Sequence, residues 1–218
     1  MAHSQRALRQ MRKKLSTAGA SWHHDELVSL REMRAGISGD KTLTIGIDEV
    51  GQGALAGPLV ICAAVIDVNA PKVEGVTDSK KIAEKRRFEL AEELMGSVVK
   101  AYFVEIPAHQ VDIRSIELSK GMVFRRLATG FGTLGEVWID GRPTRDTDAN
   151  FMVKGDLHRY DIGAASILAK VYRDSYMYIM SQVWPYYKWE TNKGYGTAAH
   201  YDGLAKHQRT PIHRKKFL

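Results

Sequence analysis

From Leu43 onward the hydrophobic positions change period several times, and each change marks a predicted element. LTIGID, Leu43 to Asp48, alternates as a half-buried strand does, whereas LVICAAVI, Leu59 to Ile66, is apolar throughout, as in a strand covered on both faces. The glycine-rich stretch between them makes the two a hairpin-like pair with a long turn. DSKKIAEKRRFELAEELM, starting at Asp78, predicts a helix opened by a capping aspartate, and VVKAYFVEI, Val98 to Ile106, returns to strand. Ile116 to Thr129 predicts a helix, EVWID and NFMV predict strands, and Asp161 to about Met180 predicts a helix capped by Asp161. Strands that come early and consecutively, then alternate with helices, imply an α/β fold: a mixed sheet with helices on its faces.

Residues 1–40 follow a different pattern. Leu8, Met11 and Leu15 share one helical face, Leu27, Leu30 and Met33 or Arg34 form a second set, and STAGAS separates them. Seven Lys or Arg against four Asp or Glu make this stretch basic. It is expected to be a short helical N-terminal extension, either a hairpin contacting nucleic acid or a solvated packing arm, with residues 41–218 forming the main domain. The first 24 residues contain no acid, which suits a basic amphipathic helix and also an organelle transit segment.

Composition narrows the class. A hydrophobic fraction of 44% with 26% charged residues is that of a soluble globular protein, and the longest apolar run, Leu59 to Ile66, is much too short for a bilayer. The formal charge of +7 suits a polyanionic partner, although an indifferent basic surface would give the same count. A single cysteine, Cys62, lies inside the apolar run and permits no intrachain disulfide, as expected of a reducing, cytoplasmic compartment. Nothing reads as a coiled coil, so a monomer is expected.

The candidate chemistry lies in acids at strand ends. Asp48 closes TIGID, Asp140 closes VWID, and Asp156 follows FMV in the turn KGD. If the first two strands are parallel neighbours, their carboxylates emerge at one carboxyl edge, where open α/β sheets bind ligands. Glu49 alternates away from Asp48 while the strand lasts, so the glycine turn is expected to rotate it into the site. Each acid alone is more often a turn or capping residue; their repetition carries the inference. Carboxylates converging without His or Cys suit Mg²⁺ or Mn²⁺, and the scattered histidines disfavour zinc. The loop GQGALAG is not a nucleotide cradle, because Pro58 and a strand follow where a helix is needed. Its glycines suit close approach of backbone N–H groups to a phosphate or a sugar hydroxyl.

With these residues in view, the sequence resembles ribonuclease HII, the type 2 ribonuclease H family. The motifs are GIDEVGQGALAGPLV, TDSKKI, WIDG, VKGD leading to IGAASILAKVYRD, NKGYGTAAH and TPIHR, in family order from about Leu43 to Phe217. The resemblance implies a ribonuclease H-like mixed sheet flanked by helices. It also implies cleavage of the RNA strand of RNA/DNA hybrids, and cleavage 5′ of ribonucleotides embedded in duplex DNA, leaving 3′-hydroxyl and 5′-phosphate ends with two divalent ions. By motif, Asp48, Glu49, Asp140 and Asp156 take the catalytic and metal-holding places. Gly51, Gln52, Gly53, Lys80 and Tyr195 take substrate-binding places, Tyr195 that of the junction-sensing tyrosine. Asp174 also matches but reads as structural. Lys81, Lys193 and Arg214 are further candidates for phosphate contacts, while His200 and His213 read as surface or supporting residues.

Two positions depart from the family pattern. Gln52 stands where Gly-Arg-Gly is usual, removing a guanidinium from the loop, and Ser115 stands where Asn is more common. Relaxed or lost junction specificity is one alternative, an inactive nucleic-acid binder another, and a different ribonuclease H-fold nuclease acting on all-DNA substrates a third.

Overall fold

The structure, a computed structural model, describes residues 20–23, 34, 36, 37 and 42–218. Six strands form one mixed sheet: β1 (Ala20–His23), β2 (Leu43–Val50), β3 (Leu59–Asp67), β4 (Lys100–Ile106), β5 (Gly135–Asp140) and β6 (Asn150–Met152), in the order β1-β4-β3-β2-β5-β6. The centre is an antiparallel meander of β2, β3 and β4, while β5 and β6 add to β2 in parallel and β1 runs parallel to β4. Among the described residues the α-helices are α1 (Glu84–Ser97), α2 (Ala108–Arg114), α3 (Ile116–Phe131), α4 (Tyr160–Ser181), α5 (Trp189–Asn192) and α6 (Ala198–His207).

Alternation along the strands builds two apolar layers. Leu43, Ile45 and Ile47 of β2, with Leu59, Ile61, Ala63 and Val65 of β3, pack on Val123, Phe124, Leu127 and Phe131 of α3. On the opposite face Val60, Cys62 and Ala64 meet Leu90 and Leu94 of α1 and Ala164, Leu168 and Tyr172 of α4. The unbroken apolar run of β3 is thus explained, since both of its faces are covered. A third, smaller cluster joins Ala56, Met177, Met180, Tyr187 and Trp189. None of the helices among the described residues is long and apolar enough to cross a membrane.

Several boundaries differ from the expectations. Asp78 caps only a 3₁₀ turn, Ser79–Lys81, by accepting from the Lys80 N–H, and α1 begins at Glu84. The strand expected from Val98 starts at Lys100, and α2 had no sequence signal strong enough to separate it from a loop. Asp161 does not cap α4: Arg159 is the N-cap, and Asp161 lies inside the first turn. There its carboxylate accepts from Arg159 Nε at 3.0 Å and from the Thr44 hydroxyl, pinning α4 to β2. Most of the expected helical extension lies outside the described residues. Within it, β1 occupies part of the stretch read as a linker and joins the sheet edge, and the Arg34 side chain donates to the Gly130 carbonyl at 2.8 Å.

Candidate active site

Strands β2 and β5 are parallel neighbours whose pairing ends at Ile47↔Ile139, so Asp48 and Asp140 do emerge together at the carboxyl edge of the sheet. Asp156 follows β6 in the 3₁₀ turn Gly155–Leu157, and the Gly155 N–H donates to Asp140 Oδ1 at 2.7 Å, tying that turn to β5. Glu49 reaches the edge by another route than expected. Strand β2 does not stop at Asp48 but continues, paired with β3, to Val50. Asp48 therefore faces α4, beside Ser166, and Glu49 faces α3, where Lys120 Nζ donates to its Oε1 at 3.2 Å. No rotation by the glycine turn is needed, because both faces of β2 open onto the same edge.

Electrostatics show that these acids share one neighbourhood. Burial pushes the Asp48 carboxyl well above its usual range, and the charges of Glu49 and Asp140 push it further. Burial also raises Glu49, partly offset by Lys120, and Asp140 adds to the rise. Asp156 is raised by burial and then by Asp78 and Asp140, with Lys80 opposing. The grouping is looser than a ready cage: among the described residues no three His, Cys, Asp or Glu side chains are arranged to hold an ion. Mutual repulsion accounts for this, since Glu49 is drawn to Lys120, Asp140 to the Gly155 N–H, and Asp48 Oδ1 to the Glu49 N–H at 2.7 Å. Glu49 Oε2 is buried without any hydrogen-bond partner. A buried, orphaned carboxylate oxygen among other carboxylates is a donor set that suits a hard divalent cation. Cys62, opposite Asp48 in the register, has its thiol pushed well up by burial and so is a poor ligand.

The glycine loop and the tyrosine turn are framed by two arginines. Arg173, fully buried on α4, donates to the carbonyls of Pro58 (2.9 Å), Ala56 (2.9 Å) and Lys193 (2.8 Å). Arg214, also fully buried, donates to the carbonyls of Gly57 (3.1 Å) and Gln52 (2.9 Å). The expectation that Arg214 touches phosphate is corrected: its guanidinium is spent inside the protein, holding the glycine loop. Gln52 is exposed and donates from Nε2 to Glu117 Oε1 at 3.0 Å, so the missing loop guanidinium is not what holds this loop. Gly51, at φ +94°, lies so close that a Cβ there would overlap the Arg173 side chain. Gly53 is exposed beside it.

Tyr195 is half-buried, with its ring 5.3 Å from the Arg173 guanidinium carbon and 6.0 Å from Lys170 Nζ. The Leu55 and Ala56 N–H groups both donate to the Gly194 carbonyl, joining the tyrosine turn to the glycine loop. Lys80 and Lys81 are exposed, whereas Lys193 is occupied by Glu84 at 2.8 Å and by the Glu190 carbonyl. Asp174 pairs with Lys170 at 2.8 Å and with Arg87 at 3.4 Å, a buried structural pairing as expected. His200 and His213 are buried, not on the surface.

Comparison with known proteins places this architecture. The family model for Ribonuclease HII matches residues 45–218. The chain belongs to the ribonuclease HII family. It is thereby an endonuclease of the ribonuclease H group, a phosphodiester hydrolase. The ribonuclease HII of Clostridioides difficile is 39% identical over 176 residues, covering 79% of this chain and 69% of that one. The ribonuclease HII of Archaeoglobus fulgidus, solved in complex with PCNA, superposes with a TM-score of 0.65 at 22% identity over 81% of this chain and 95% of that one. Bst-RNase HIII, solved with Mn²⁺, gives 0.56 at 19% identity over 78% and 71%. These two likenesses establish the ribonuclease H-like fold.

Sequence reasoning missed Lys120, Ser166 and Arg173. Lys120 stands three to seven positions before Val123, Phe124 and Leu127, on the inward stripe of α3, and Arg173 follows Ser166 and Ala169 on the buried stripe of α4. A polar residue on an apolar helical stripe was the available signal.

Proposed function

We propose that this ribonuclease HII cleaves the RNA strand of RNA/DNA hybrids and cuts 5′ of ribonucleotides embedded in duplex DNA, leaving 3′-hydroxyl and 5′-phosphate ends. The observation that carries the reading is the set of mutually repelling, buried carboxylates at the carboxyl edge of β2 and β5, with Glu49 Oε2 left unpartnered. Such a set is costly to bury and is kept where charge is needed.

Asp48, Glu49, Asp140 and Asp156 would hold two divalent ions, Mg²⁺ or Mn²⁺, the latter being present in the solved Bst-RNase HIII. Bound there, the ions would supply an activated water and stabilise the leaving oxygen. Lys120 balances the Glu49 charge, Ser166 steadies Asp48, and the Gly155 N–H orients Asp140. No side-chain base is required of this chain. Gly51, Gln52 and Gly53 would lay their backbone against the ribonucleotide. Tyr195 would pack on the adjoining sugar, with its hydroxyl near the 2′-oxygen that separates RNA from DNA. Lys80, exposed near Asp156, would meet phosphate. The protein would act as a monomer.

The test uses labelled duplex DNA with one embedded ribonucleotide, an RNA/DNA hybrid and an all-DNA duplex, each with Mg²⁺ and with Mn²⁺. Cleavage of the first two and not the third is expected. Cutting of the hybrid alone would show that a loop carrying Gln52 has lost junction recognition, and cutting of the all-DNA duplex would overturn the reading.

A further inference from the structure

The buried histidines form a chain whose proton positions follow from fixed donors. The Thr210 N–H donates to His213 Nδ1 at 2.8 Å, and the Thr210 hydroxyl lies 2.9 Å from the same nitrogen, so His213 Nδ1 carries no proton. The Trp189 indole N–H donates to His200 Nε2 at 3.2 Å, which leaves that nitrogen an acceptor too. Between the rings, His213 Nε2 and His200 Nε2 are 3.0 Å apart, and the only arrangement left has His213 donating to His200. His200 must then bear its proton on Nδ1, which lies 3.0 Å from the Tyr195 carbonyl oxygen and donates to it. The segment 210–214 at the far end is itself seated on the glycine loop, through the Ala56↔His213 bridge and the Arg214 N–H to the Leu55 carbonyl at 2.8 Å.

We propose that His200 and His213 are positioning residues for Tyr195, passing the seat of the Thr210–Arg214 segment to the Tyr195 carbonyl through a chain of three directed hydrogen bonds. The inference rests on Tyr195 being the ribonucleotide contact. The tyrosine turn already meets the glycine loop through the Gly194 carbonyl, and the Tyr195 carbonyl also accepts from the Thr197 N–H at 2.9 Å; the relay adds a second tie, from that same carbonyl to the segment seated on the glycine loop, so that both recognition elements share one frame. The chain exists only with both rings neutral, since a second proton on either ring would set donor against donor. Its surroundings favour that state. The charged or titratable groups facing the pair are Tyr187, with its ring edge-on to both, Arg209 beside His213, and each histidine itself. Trp189 covers both rings and carries no charge. Among the described residues no carboxylate is in hydrogen-bond contact with either ring.

The test compares His213→Phe, which keeps the bulk and ends the relay, with His213→Gln, which can restore a donor at the Nε2 position. Substrates are the single-ribonucleotide duplex and the RNA/DNA hybrid. The Phe variant should lose about tenfold in kcat/KM on the former relative to the latter, chiefly through KM, with the Gln variant recovering most of it. On a Tyr195→Ala background the same Phe substitution should change the ratio no further, since coupled residues are non-additive. Equal losses on both substrates, or a full effect on the Tyr195→Ala background, would overturn the proposal. A wild-type protein that does not favour the single-ribonucleotide duplex over DNA would instead refute the assigned function. Long-range ¹⁵N spectra of the imidazole rings in the wild-type protein provide a reading independent of any variant's folding. They should show His200 protonated at Nδ1 and His213 at Nε2, and the opposite tautomers would overturn the relay.

Discussion

At the scale of single residues, the site stores its charge at the expense of stability. Asp48 is buried beside Glu49 and Asp140, and its raised carboxyl measures that repulsion in direction. Asp48→Asn removes the charge while keeping the shape. Cleavage should fall about a thousandfold or more, while the melting temperature rises by roughly 2–4 °C, corresponding to about 1 kcal/mol. Activity assays and thermal melts on the same preparation check both; a fall in Tm would mean that the carboxylate is held favourably. Arg214 is also charged at a cost, its pKa lowered to about 9 by burial and by Arg173 and its Nη2 left without a partner, but its Nε and Nη1 hold backbone carbonyls. Arg214→Met takes the donor from the buried Gly57 carbonyl and the part-buried Gln52 carbonyl and should cost about 2 kcal/mol in a denaturant titration. Lys193→Met, which frees an exposed Glu84 and the Glu190 carbonyl of a half-buried residue, should cost about 1 kcal/mol. The acids were legible in the sequence because strand ends announce themselves. The two arginines were not, since a guanidinium spent on carbonyls inside the protein has the same letter as one offered to a phosphate.

At the scale of elements, the placing of α4 on β2 decides whether Asp48 can face Ser166. Gly46, on β2, lies directly beneath the first turn of α4, and a Cβ at that position would overlap the carbonyl carbon of Asp161. Gly46→Ala should therefore push the helix off the sheet, destabilising by about 3 kcal/mol or more and reducing cleavage in proportion to the displaced carboxylate. Urea titration with a parallel activity assay checks it; a neutral substitution would show that the contact relaxes freely. Strand identity was readable from hydrophobic period, whereas the parallel pairing of β2 with β5 entered only as a condition that the structure meets. The opposite faces of Asp48 and Glu49 were not, because the glycines after Val50 hid the fact that pairing with β3 carries the strand two residues further. Helix α2 was missed for a related reason: seven residues do not span enough turns for a period to show.

At the scale of the whole molecule, acid stability follows from groups that fold neutral. Burial lowers the pKa of His200, and burial with His200 and Arg209 takes His213 to about 4. In the unfolded chain both would titrate near 6.5, so their contribution is fully present above about pH 6.5 and declines as pH falls, for His213 down to about 4. For His213 alone the loss between pH 7 and pH 5 should be roughly 2 kcal/mol. Asp48 acts with the opposite sign, its burial cost vanishing on protonation, so melts of the Asp48→Asn protein should show the histidine effect most plainly. His213→Gln should flatten the same profile. A wild-type melting temperature that is level from pH 7 to pH 5 would count against neutral buried histidines.

The guanidinium of Arg214 reaches back 162 positions to the Gln52 carbonyl, and that span has a consequence for the order of synthesis. A ribosome completes the four strand-edge acids once Asp156 is made; at ordinary elongation rates Arg173 follows about 1–3 s later and Arg214 roughly 3–12 s later. During most of that interval the nascent chain holds the four strand-edge acids and one of the two bracing arginines. The frame of the glycine loop is therefore completed late: α4 brings the first arginine, and the second joins only once residues 210–214 have been made.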